Sequence, residues 1–417
     1  MFFAQKSYPQ WNKKVAYADL TNEGKGILQQ KVTNGMVRDG KLKTYADCSK
    51  AFQMSTFVQA LWGGPFDDLY VAMLNGIYRR VNNVIEKIVG GNFMLGVFAY
   101  LNSQNTIVFS SPYAATYVYD NGEATKVSAV GLNSLVTFRD RYFGLRVDQI
   151  YFTKQGDATA WHGQISLPQQ AKCLVATNDG IYVVGQDVYL LQFSDKEFDS
   201  KLTLVYKNLG QVVPGSVQSV GKGFYYLCAD YALRYFNGSS VQTVMEFENI
   251  SAKTDFVSSV VAGDKYYLNF DRYGAGTNSQ LIVVDIPTGK LFTAYDISAK
   301  YIAAVGSDIY VSSSNEVFLI SRGKYGPLHW ESRPYGFGND SAKKSLEKLL
   351  VDTASDITVT VTTETDSRVL QIKGSPHLQK IPLHGSFHRV SVTLDSESKA
   401  EIASLGIVAN VLREEVN

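Results

Sequence analysis

The feature that most constrains this chain is a strand pattern that recurs about every 40 residues between Phe52 and Gly338. Each copy begins at a turn residue and continues into a run rich in Tyr, Val, Ile or Phe, and most copies go on through a second turn into another such run. Aromatic and β-branched residues suit the half-buried surface of a strand. The best-defined copies are Asp68–Arg80, Asp179–Leu191, Lys222–Phe236, Asp264–Phe270 and Gly306–Ile320.

A repeat of this length is typical of the four-stranded blades of a β-propeller, because one blade cannot bury its own face whereas stacked blades can. The turns predict seven blades, and counts of six and eight also fit because the second and third copies are weakly patterned. The predicted segments are 51–91, 92–132, 133–171, 172–213, 214–250, 251–297 and 298–338. A set of β-sandwiches is the alternative fold, and the Gly-His and Trp-Asp pairs of WD40 blades are missing from the copies.

The composition favours a folded β-rich protein with no strongly charged partner surface. Hydrophobic residues make up 45% of the chain, charged residues make up 19%, and the formal net charge is +1. These values do not indicate disorder, and the sequence has no basic run with interleaved aromatic residues of the kind that favours nucleic-acid binding. The 26 Tyr and 22 Phe residues are expected to fill the gaps between thin blades.

The sequence predicts neither export nor membrane insertion. The apolar start Met1–Pro9 is too short for a signal peptide and lacks its basic region, and no stretch has the length of a membrane helix. The three cysteines, Cys48, Cys173 and Cys228, are far apart. Their number and spacing argue against a disulfide framework and favour synthesis in a reducing compartment. Cys173 and Cys228 lie in strand patterns and are expected to be buried.

Residues 1–50 form a polar, lysine-rich N-terminal arm outside the repeat. The arm has no sustained helix or strand period, so any order in it is expected to come from packing along a neighbour. Its aromatic residues Tyr8, Trp11 and Tyr17 are the candidate docking residues, because such residues have no core of their own in a polar extension. The alternative is that the arm closes the first blade.

Residues 339–417 form a second segment outside the repeat. Asp356–Glu364 and Ser386–Leu394 alternate strictly between apolar and polar residues, which predicts strands with one buried face. With further strands at Ser367–Lys373 and Ala400–Ala409, this segment is predicted to be a small C-terminal β-sandwich. Ser341–Val351 fits either a short helix or a strand that leaves the propeller.

Motifs for chemistry are largely missing from the sequence, so no catalytic, metal or cofactor-binding residue and no enzyme activity is predicted. The nucleophile elbow, the P-loop and the zinc-protease motif do not occur. His377, His384 and His388 are close in sequence, but no Cys or acidic residue completes a regular metal-ligand spacing, so exposed loop histidines are expected.

The end of the last repeat carries a family resemblance. Gly326–Gly338 has the spacing W-x-S-[KR]-P-[FY]-x-F, formed by Trp330, Ser332, Arg333, Pro334, Tyr335 and Phe337. This segment resembles a motif that ends the last blade in tail proteins of bacteriophage virions. The chain is also similar to the tail hub or nozzle of short-tailed phages (podoviruses), which is also called packaged-DNA stabilisation protein. The similar parts are the arm, the first repeat ending at Gly76–Arg80, and the late segments Phe387–Leu394 and Ala400–Ile407.

The resemblance implies a virion structural protein that is made in the host bacterial cytoplasm and built into the tail. Such a protein would form a homohexameric ring that continues the DNA channel for ejection. It would bind the head-to-tail adaptor and portal complex on one side and a tail needle or fibres on the other. DNA would pass through the ring non-specifically. A near-neutral net charge suits such a conduit, because lysines and arginines in its lumen would grip the phosphates.

Two other functions remain open from the sequence. An intracellular interaction or scaffold propeller predicts sharper identity between copies than this sequence has. A carbohydrate-active propeller enzyme predicts an export signal and acidic residues that converge at the mouth of the channel.

Overall fold

The fold is all-β. A computed structural model of the 417-residue chain describes residues 31–411 except 39–40, 102, 104, 194–199, 231, 247–256, 271–279, 288, 296, 298, 333, 335, 337–340 and 342. Two short 3-10 helices, Pro65–Asp67 and Pro214–Ser216, interrupt the strands. Over the described ranges, no helix has the length and hydropathy needed to cross a bilayer.

The strands of the described residues follow in chain order. The N-terminal strands are β1 (Lys31–Thr33), β2 (Gly35–Arg38), β3 (Lys41–Thr44) and β4 (Ala46–Gln53). The repeat region begins with β5 (Val58–Gly63), β6 (Leu69–Met73), β7 (Gly76–Val81), β8 (Val84–Gly90), β9 (Val97–Leu101), β10 (Thr106–Ser111), β11 (Ala114–Asp120), β12 (Glu123–Ser128), β13 (Ser134–Phe138), β14 (Arg141–Arg146), β15 (Gln149–Lys154) and β16 (Asp157–Ser166). It continues with β17 (Ala171–Thr177), β18 (Gly180–Gly185), β19 (Val188–Gln192), β20 (Lys201–Tyr206), β21 (Gln218–Val220), β22 (Gly223–Leu227), β23 (Ala232–Phe236), β24 (Val241–Glu246), β25 (Ser258–Ala262), β26 (Lys265–Phe270), β27 (Gln280–Asp285) and β28 (Lys290–Tyr295). The last strands are β29 (Tyr301–Val305), β30 (Asp308–Ser313), β31 (Glu316–Tyr325), β32 (Leu328–Glu331), β33 (Lys344–Thr353), β34 (Ile357–Thr363), β35 (Ser367–Ile372), β36 (Gln379–Pro382), β37 (Ser386–Phe387), β38 (Val390–Ser396) and β39 (Glu401–Val411).

Most of these strands form four-stranded antiparallel sheets, which is consistent with a propeller-like all-β fold. The described residues contain seven such sheets: sheet 1 (β5–β8), sheet 2 (β9–β12), sheet 3 (β13–β16), sheet 4 (β17–β20), sheet 5 (β21–β24), sheet 6 (β25–β28) and sheet 7 (β29, β30, β31 and β4). Apart from β4, each sheet falls within one predicted segment to within one residue. Tight turns such as Asn82–Asn83 and Asn121–Gly122, with positive φ at both positions, join their third and fourth strands.

Sheet 7 is completed by a strand from the other end of the chain. β4 pairs antiparallel with β31, from Gln53 opposite Glu316 to Ala46 opposite Tyr325. Lys50 Nζ lies 2.5 Å from Glu316 Oε1 on this pair. The N-terminal region therefore completes the last sheet of the series, whereas the sequence hypothesis had it close the first blade.

The remaining strands form two further antiparallel sheets. Sheet 8 has the order β1-β32-β38-β34-β35, and sheet 9 has the order β2-β3-β39-β33-β36, with β37 also paired to β33. Both contribute to one hydrophobic cluster that includes Trp330, Leu349, Val359 and Ile407. Ser341–Val351 largely coincides with β33, so the strand alternative for this segment is confirmed.

Strand pairing differs from the domain division made at residues 50/51 and 338/339. β1 pairs with β32, and β3 pairs with β39, so strands β1 to β3 of the N-terminal arm belong to sheets 8 and 9, while the arm's last residues belong to sheet 7. The division at residue 50 also cuts through β4. These pairings join segments that are hundreds of residues apart, and no local pattern marks them.

Aromatic side chains fill the space between neighbouring sheets, as the sequence predicted. Tyr70 of sheet 1 lies 5.6 Å from Phe98 and 5.5 Å from Phe109 of sheet 2, measured between ring centroids. Tyr225 of sheet 5 stacks on Tyr266 of sheet 6 at 5.4 Å. Each contact buries apolar area that a single sheet could not cover alone.

Sheets 7 and 1 meet where only glycine fits. A Cβ on Gly63, the last residue of β5, would overlap the backbone carbonyl of Ala304 in β29. By contrast, a Cβ on Gly90 in the same sheet would meet only the end of the Lys87 side chain, at 3.9 Å. The contact between the first and last sheets of the series therefore depends on the missing side chain of Gly63.

We expect Gly63→Ala to lower the free energy of unfolding by about 1–3 kcal/mol, because the added methyl group must push two backbones apart. Gly90→Ala is the matched control and is expected to change stability by less than about 0.5 kcal/mol or to raise it slightly. Chemical denaturation of both variants and the parent chain measures the difference. Equal stability of the two variants would contradict this account of the sheet 7–sheet 1 contact.

Candidate functional site

The first strands of the seven four-stranded sheets line one central cavity. Its volume is about 810 Å³, and β5, β9, β13, β17, β21, β25 and β29 all contribute to its wall. All seven sheets therefore reach this cavity.

The wall of this cavity is nearly uncharged. Small, apolar and amide or hydroxyl side chains form it, and Lys172 is the one charged residue among the lining residues, all of which belong to the described chain. The carbohydrate-enzyme hypothesis predicted acidic residues that converge at the mouth of the channel. The lining includes no Asp, Glu or His, so none of these side chains is placed for proton transfer in the cavity.

Serine hydroxyls tie neighbouring first strands together around the cavity. Ser134 Oγ accepts a hydrogen bond from the Leu174 N–H at 3.0 Å, which joins sheets 3 and 4. Ser258 Oγ accepts one from the Ile302 N–H at 3.2 Å, which joins sheets 6 and 7. Both serines open the first strand of their sheet. They satisfy backbone groups on the inner edges that have no partner strand.

The sheets present two ends with different character. In each sheet, the turn between the second and third strands lies at the same end as the segment that crosses to the next sheet. We call this end the crossover end. Hydrogen bonds link these loops in sequence: Val58 N–H to Ser314 O, Ser111 Oγ–H to Met94 O, Ala171 N–H to Val147 O and Leu209 N–H to Gln186 O. At this end, hydrogen bonds therefore tie the turns of sheets 2, 3, 4 and 7 to the neighbouring crossover segments. The turns and crossover segments at this end are called the rim.

The rim is uncharged over sheets 1 and 2. Its segments there are 54–57, 74–75, 91–96, 112–113 and 129–133, and none of them contains Asp, Glu, Lys, Arg or His. At the opposite end, the turns of sheets 1 and 3 carry Asp67, Asp68, Arg139 and Asp140. The chain also leaves sheet 7 for sheet 8 at that opposite end, where Tyr325 pairs with Ala46.

A second depression opens at the crossover end of sheets 4 and 5. It has a volume of about 740 Å³ and shares Lys172 and Pro214 with the wall of the central cavity. Gln186, Asn208 and Gln211 supply most of its polar side chains. This depression places amide side chains next to the cavity wall on the side of sheet 4.

Two consecutive arginines of β7 contact the sheets on either side of sheet 1. Arg79 Nε and Nη2 each lie 2.7 Å from Asp68 Oδ2, and Arg79 Nη1 lies 3.4 Å from the Tyr119 hydroxyl in sheet 2. The guanidinium of Arg80 lies over the rings of Phe52 at 4.7 Å and Tyr310 at 5.8 Å, both in sheet 7. Alternation along a strand sends these neighbours to opposite faces of the sheet.

The Asp68 carboxylate is the centre of a buried polar cluster. Its side chain is 3% exposed, and the Tyr70 hydroxyl also donates to it, at 3.3 Å. Burial, followed by the negative charge of Asp68, raises the pKa of Tyr70. The tyrosine therefore stays protonated and acts as a hydrogen-bond donor.

The described part of the family-like motif lies inside sheet 8 and its join to sheet 7. Trp330 is buried, and the Ser332 hydroxyl accepts the Val392 N–H at 2.8 Å while the Ser332 N–H donates to Val392 O at 2.8 Å. Pro334 is exposed. Arg333, Tyr335 and Phe337 lie outside the described residues.

The candidate docking residues Tyr8, Trp11 and Tyr17 also lie outside the described residues. His377, His384 and His388 are exposed. Across the described residues, no group of three or more His, Cys, Asp or Glu side chains could hold a metal ion. His329 lies apart from these histidines, with its Nδ1 2.6 Å from Asp395 Oδ1.

Sequence reasoning missed the arginine pair and the uncharged rim. A signal for the first was present, since two adjacent arginines in a predicted strand must face two different neighbours. The uncharged rim also had a signal, the series of loops without charge between residues 91 and 133. That signal identifies a surface only when it is known which turns lie at the same end of the sheets.

Comparison with known proteins gives structural likeness only. No family of known proteins matches this sequence, and no curated protein matches it. The computationally designed Ika8 protein is similar in structure with a TM-score of 0.44 and 9% identity, over 65% of this chain and 98% of Ika8. PorZ, a bacterial surface component of the type-IX secretion system of Porphyromonas gingivalis, is similar with a TM-score of 0.48 and 11% identity, over 78% of this chain and 46% of PorZ.

The burial of the Asp68–Arg79 ion pair predicts that replacing Asp68 lowers stability more than replacing an exposed, paired aspartate. We expect Asp68→Asn to lower the free energy of unfolding by about 3 kcal/mol, because it removes the charge that balances Arg79 in a buried setting. Asp366→Asn is the control, since Asp366 pairs with Arg368 while 52% exposed, and its effect is expected to stay below about 1 kcal/mol. Denaturant titration of the two variants gives both values, and similar values would contradict a structural role for Asp68.

The buried thiol of Cys173 predicts protection from alkylation. Burial raises the pKa of Cys173 to about 12, so almost no thiolate is present at pH 8. We expect iodoacetamide at pH 8 to leave Cys173 unmodified in the folded chain and to modify it fully in guanidinium chloride, as measured by peptide mass spectrometry. Rapid labelling of Cys173 without denaturant would show that the strand β17 is not packed as described.

Proposed function

We propose that the seven four-stranded sheets are the blades of a closed seven-bladed β-propeller and that sheets 8 and 9 form a C-terminal β-sandwich. Three observations support closure: one cavity bordered by all seven first strands, the close approach of Gly63 to Ala304, and the completion of sheet 7 by β4. A propeller closed in this way has a stiff wall with only short free edges.

We infer that this stiff body is a virion structural protein, the tail hub or nozzle of a short-tailed bacteriophage. The observation that carries the proposal is the join between sheet 7 and sheet 8. There, Trp330 is buried, and the buried Ser332 is hydrogen-bonded to Val392. Both are residues of the family-like motif and lie where the last blade gives way to the sandwich. In the phage tail proteins, the motif that this segment resembles ends the last blade.

The central cavity of one chain is not the proposed DNA channel. A volume of about 810 Å³ is typical of a small-ligand pocket and cannot hold a duplex. DNA would instead pass along the axis of a ring of six copies, each contributing one propeller to the wall. Such a ring requires head-to-tail contacts that close by rotation.

The two ends of the propeller suit two different neighbours in such a tail. The crossover end is uncharged over sheets 1 and 2, whereas the opposite end carries charged turns and the sandwich. We assign the adaptor and portal complex and the needle or fibre proteins to separate surfaces of the ring on this basis. A difference in charge between two faces of a rigid body gives each face its own partner specificity.

The proposal is tested on phage particles from the bacterium in which the gene is expressed. We expect peptide mass spectrometry to detect the chain in purified, DNA-filled particles, and cryo-electron microscopy to show six copies around the tail axis. Deletion of the gene should give filled heads that lose DNA, and supply of the intact gene in trans should restore infectivity. Particles that contain DNA, infect normally and lack the chain would overturn the proposal.

A further inference from the structure

The crossover end of sheets 1 to 3 carries a cluster of exposed apolar side chains. Six of the twelve exposed large hydrophobic residues of the described chain lie in its loops and turns: Phe57, Leu74, Met94, Leu95, Tyr113 and Val147. We call these six residues the apolar rim. Clusters of this kind mark interaction sites, whereas single exposed apolar residues are ordinary.

Hydrogen bonds hold the loops of the apolar rim next to one another. The Ser111 hydroxyl donates to the Met94 carbonyl at 2.6 Å and accepts the Tyr113 N–H at 3.1 Å, so the 91–96 loop and the 112–113 turn are fixed together. Thr56 Oγ1 lies 3.4 Å from Met73 Sδ, which places Phe57 beside the 74–75 turn. These contacts preform two parts of the rim, one at Met94, Leu95 and Tyr113 and one at Phe57 and Leu74, which lowers the entropic cost of binding there.

We propose that residues 1–30 of this chain, from the same or a neighbouring copy, bind on the apolar rim through their aromatic side chains. The proposal is independent of the place in the virion argued above. The partner that it assigns to the rim is a segment with several aromatic side chains.

The position and length of the N-terminal segment support this assignment. The described chain begins at Lys31, which pairs with Glu331 of sheet 8. Thirty residues span up to about 100 Å when extended, which exceeds the length of any strand of the sheets several-fold. The segment can therefore reach the crossover end of its own propeller or of an adjacent copy.

The composition of the segment matches the rim. It contains the aromatic residues Phe2, Phe3, Tyr8, Trp11 and Tyr17. Large aromatic side chains are the groups that contribute most to binding on a preformed apolar surface. The rim segments of sheets 1 and 2 hold no charge, so they offer Trp11 and Tyr8 an apolar surface and place no cation against the nearby Lys13 and Lys14.

Photo-cross-linking in the full-length chain tests the proposal. Tyr113, which is 60% exposed, is replaced by p-benzoylphenylalanine, and the cross-linked peptides are identified by mass spectrometry. The matched control carries the same amino acid at Val369, which is 64% exposed on edge strand β35 of sheet 8. We expect position 113 to link to peptides from residues 1–30 and position 369 not to do so.

Variants of the segment, made in the position-113 background, separate specific docking from chance contact. Trp11→Ala is expected to lower the cross-link yield at least about tenfold, whereas Gln10→Ala, at the adjacent residue, should change it less than about twofold. A mixture of isotopically light and heavy chains distinguishes links within one chain from links between copies, and both support the proposal.

Three results would overturn it. They are links from position 113 mainly to the rim of a second copy, links mainly to another region, and a yield at position 113 no higher than at position 369. An equal loss of yield in Trp11→Ala and Gln10→Ala would also contradict the aromatic basis of binding. None of these results bears on whether the chain is present in phage particles, so this proposal and the proposed function can fail separately.

Discussion

The pairing of β4 with β31 is the interaction on which the rest of this structure depends. Sheet 7 has only three strands from its own stretch of chain, and the fourth comes from residues 46–53. Without that strand, β31 would expose a row of unpaired backbone groups along ten residues. The same N-terminal segment then supplies β1 to β3 to sheets 8 and 9, so one continuous run of chain holds the last sheet and both C-terminal sheets together.

Neighbouring sheets are held by three kinds of contact at different distances from the cavity. Serine hydroxyls bond the first strands near the centre, as Ser134 does to Leu174. Aromatic rings such as Tyr225 and Tyr266 pack between sheets farther out. At sheet 1, Arg79 and Arg80 add charged and cation–π contacts on both sides. Polar contacts at the centre fix the register of adjacent sheets, while the apolar contacts provide most of the buried area.

The sequence predicted the repeated sheets well because their signals are local. Two-residue turns such as Asn82–Asn83 and runs such as Phe224–Leu227 specify a hairpin within a few residues. The pairing of β1 and β3 was not predictable in the same way, since these strands have three and four residues and their partners lie near residues 330 and 400. Of the residues singled out in the sequence, Trp330 and Ser332 lie in and next to β32 of sheet 8. The uncharged rim was not singled out, because it depends on which turns share an end, and that is a property of the assembled sheets.

The β4–β31 pairing also has a consequence for the order of events during synthesis. β4 leaves the ribosome before sheets 1 to 6, but its partner follows more than 260 residues later. At about 5–20 residues per second, the early strand waits for many seconds with an open edge while sheets 1 to 6 are made. A nascent chain that stops before β31 therefore keeps both an unpaired strand and an incomplete series of sheets, and such products are prone to aggregate. β4 is thus translated before sheets 1 to 6 but gains its partner strand only after they are complete.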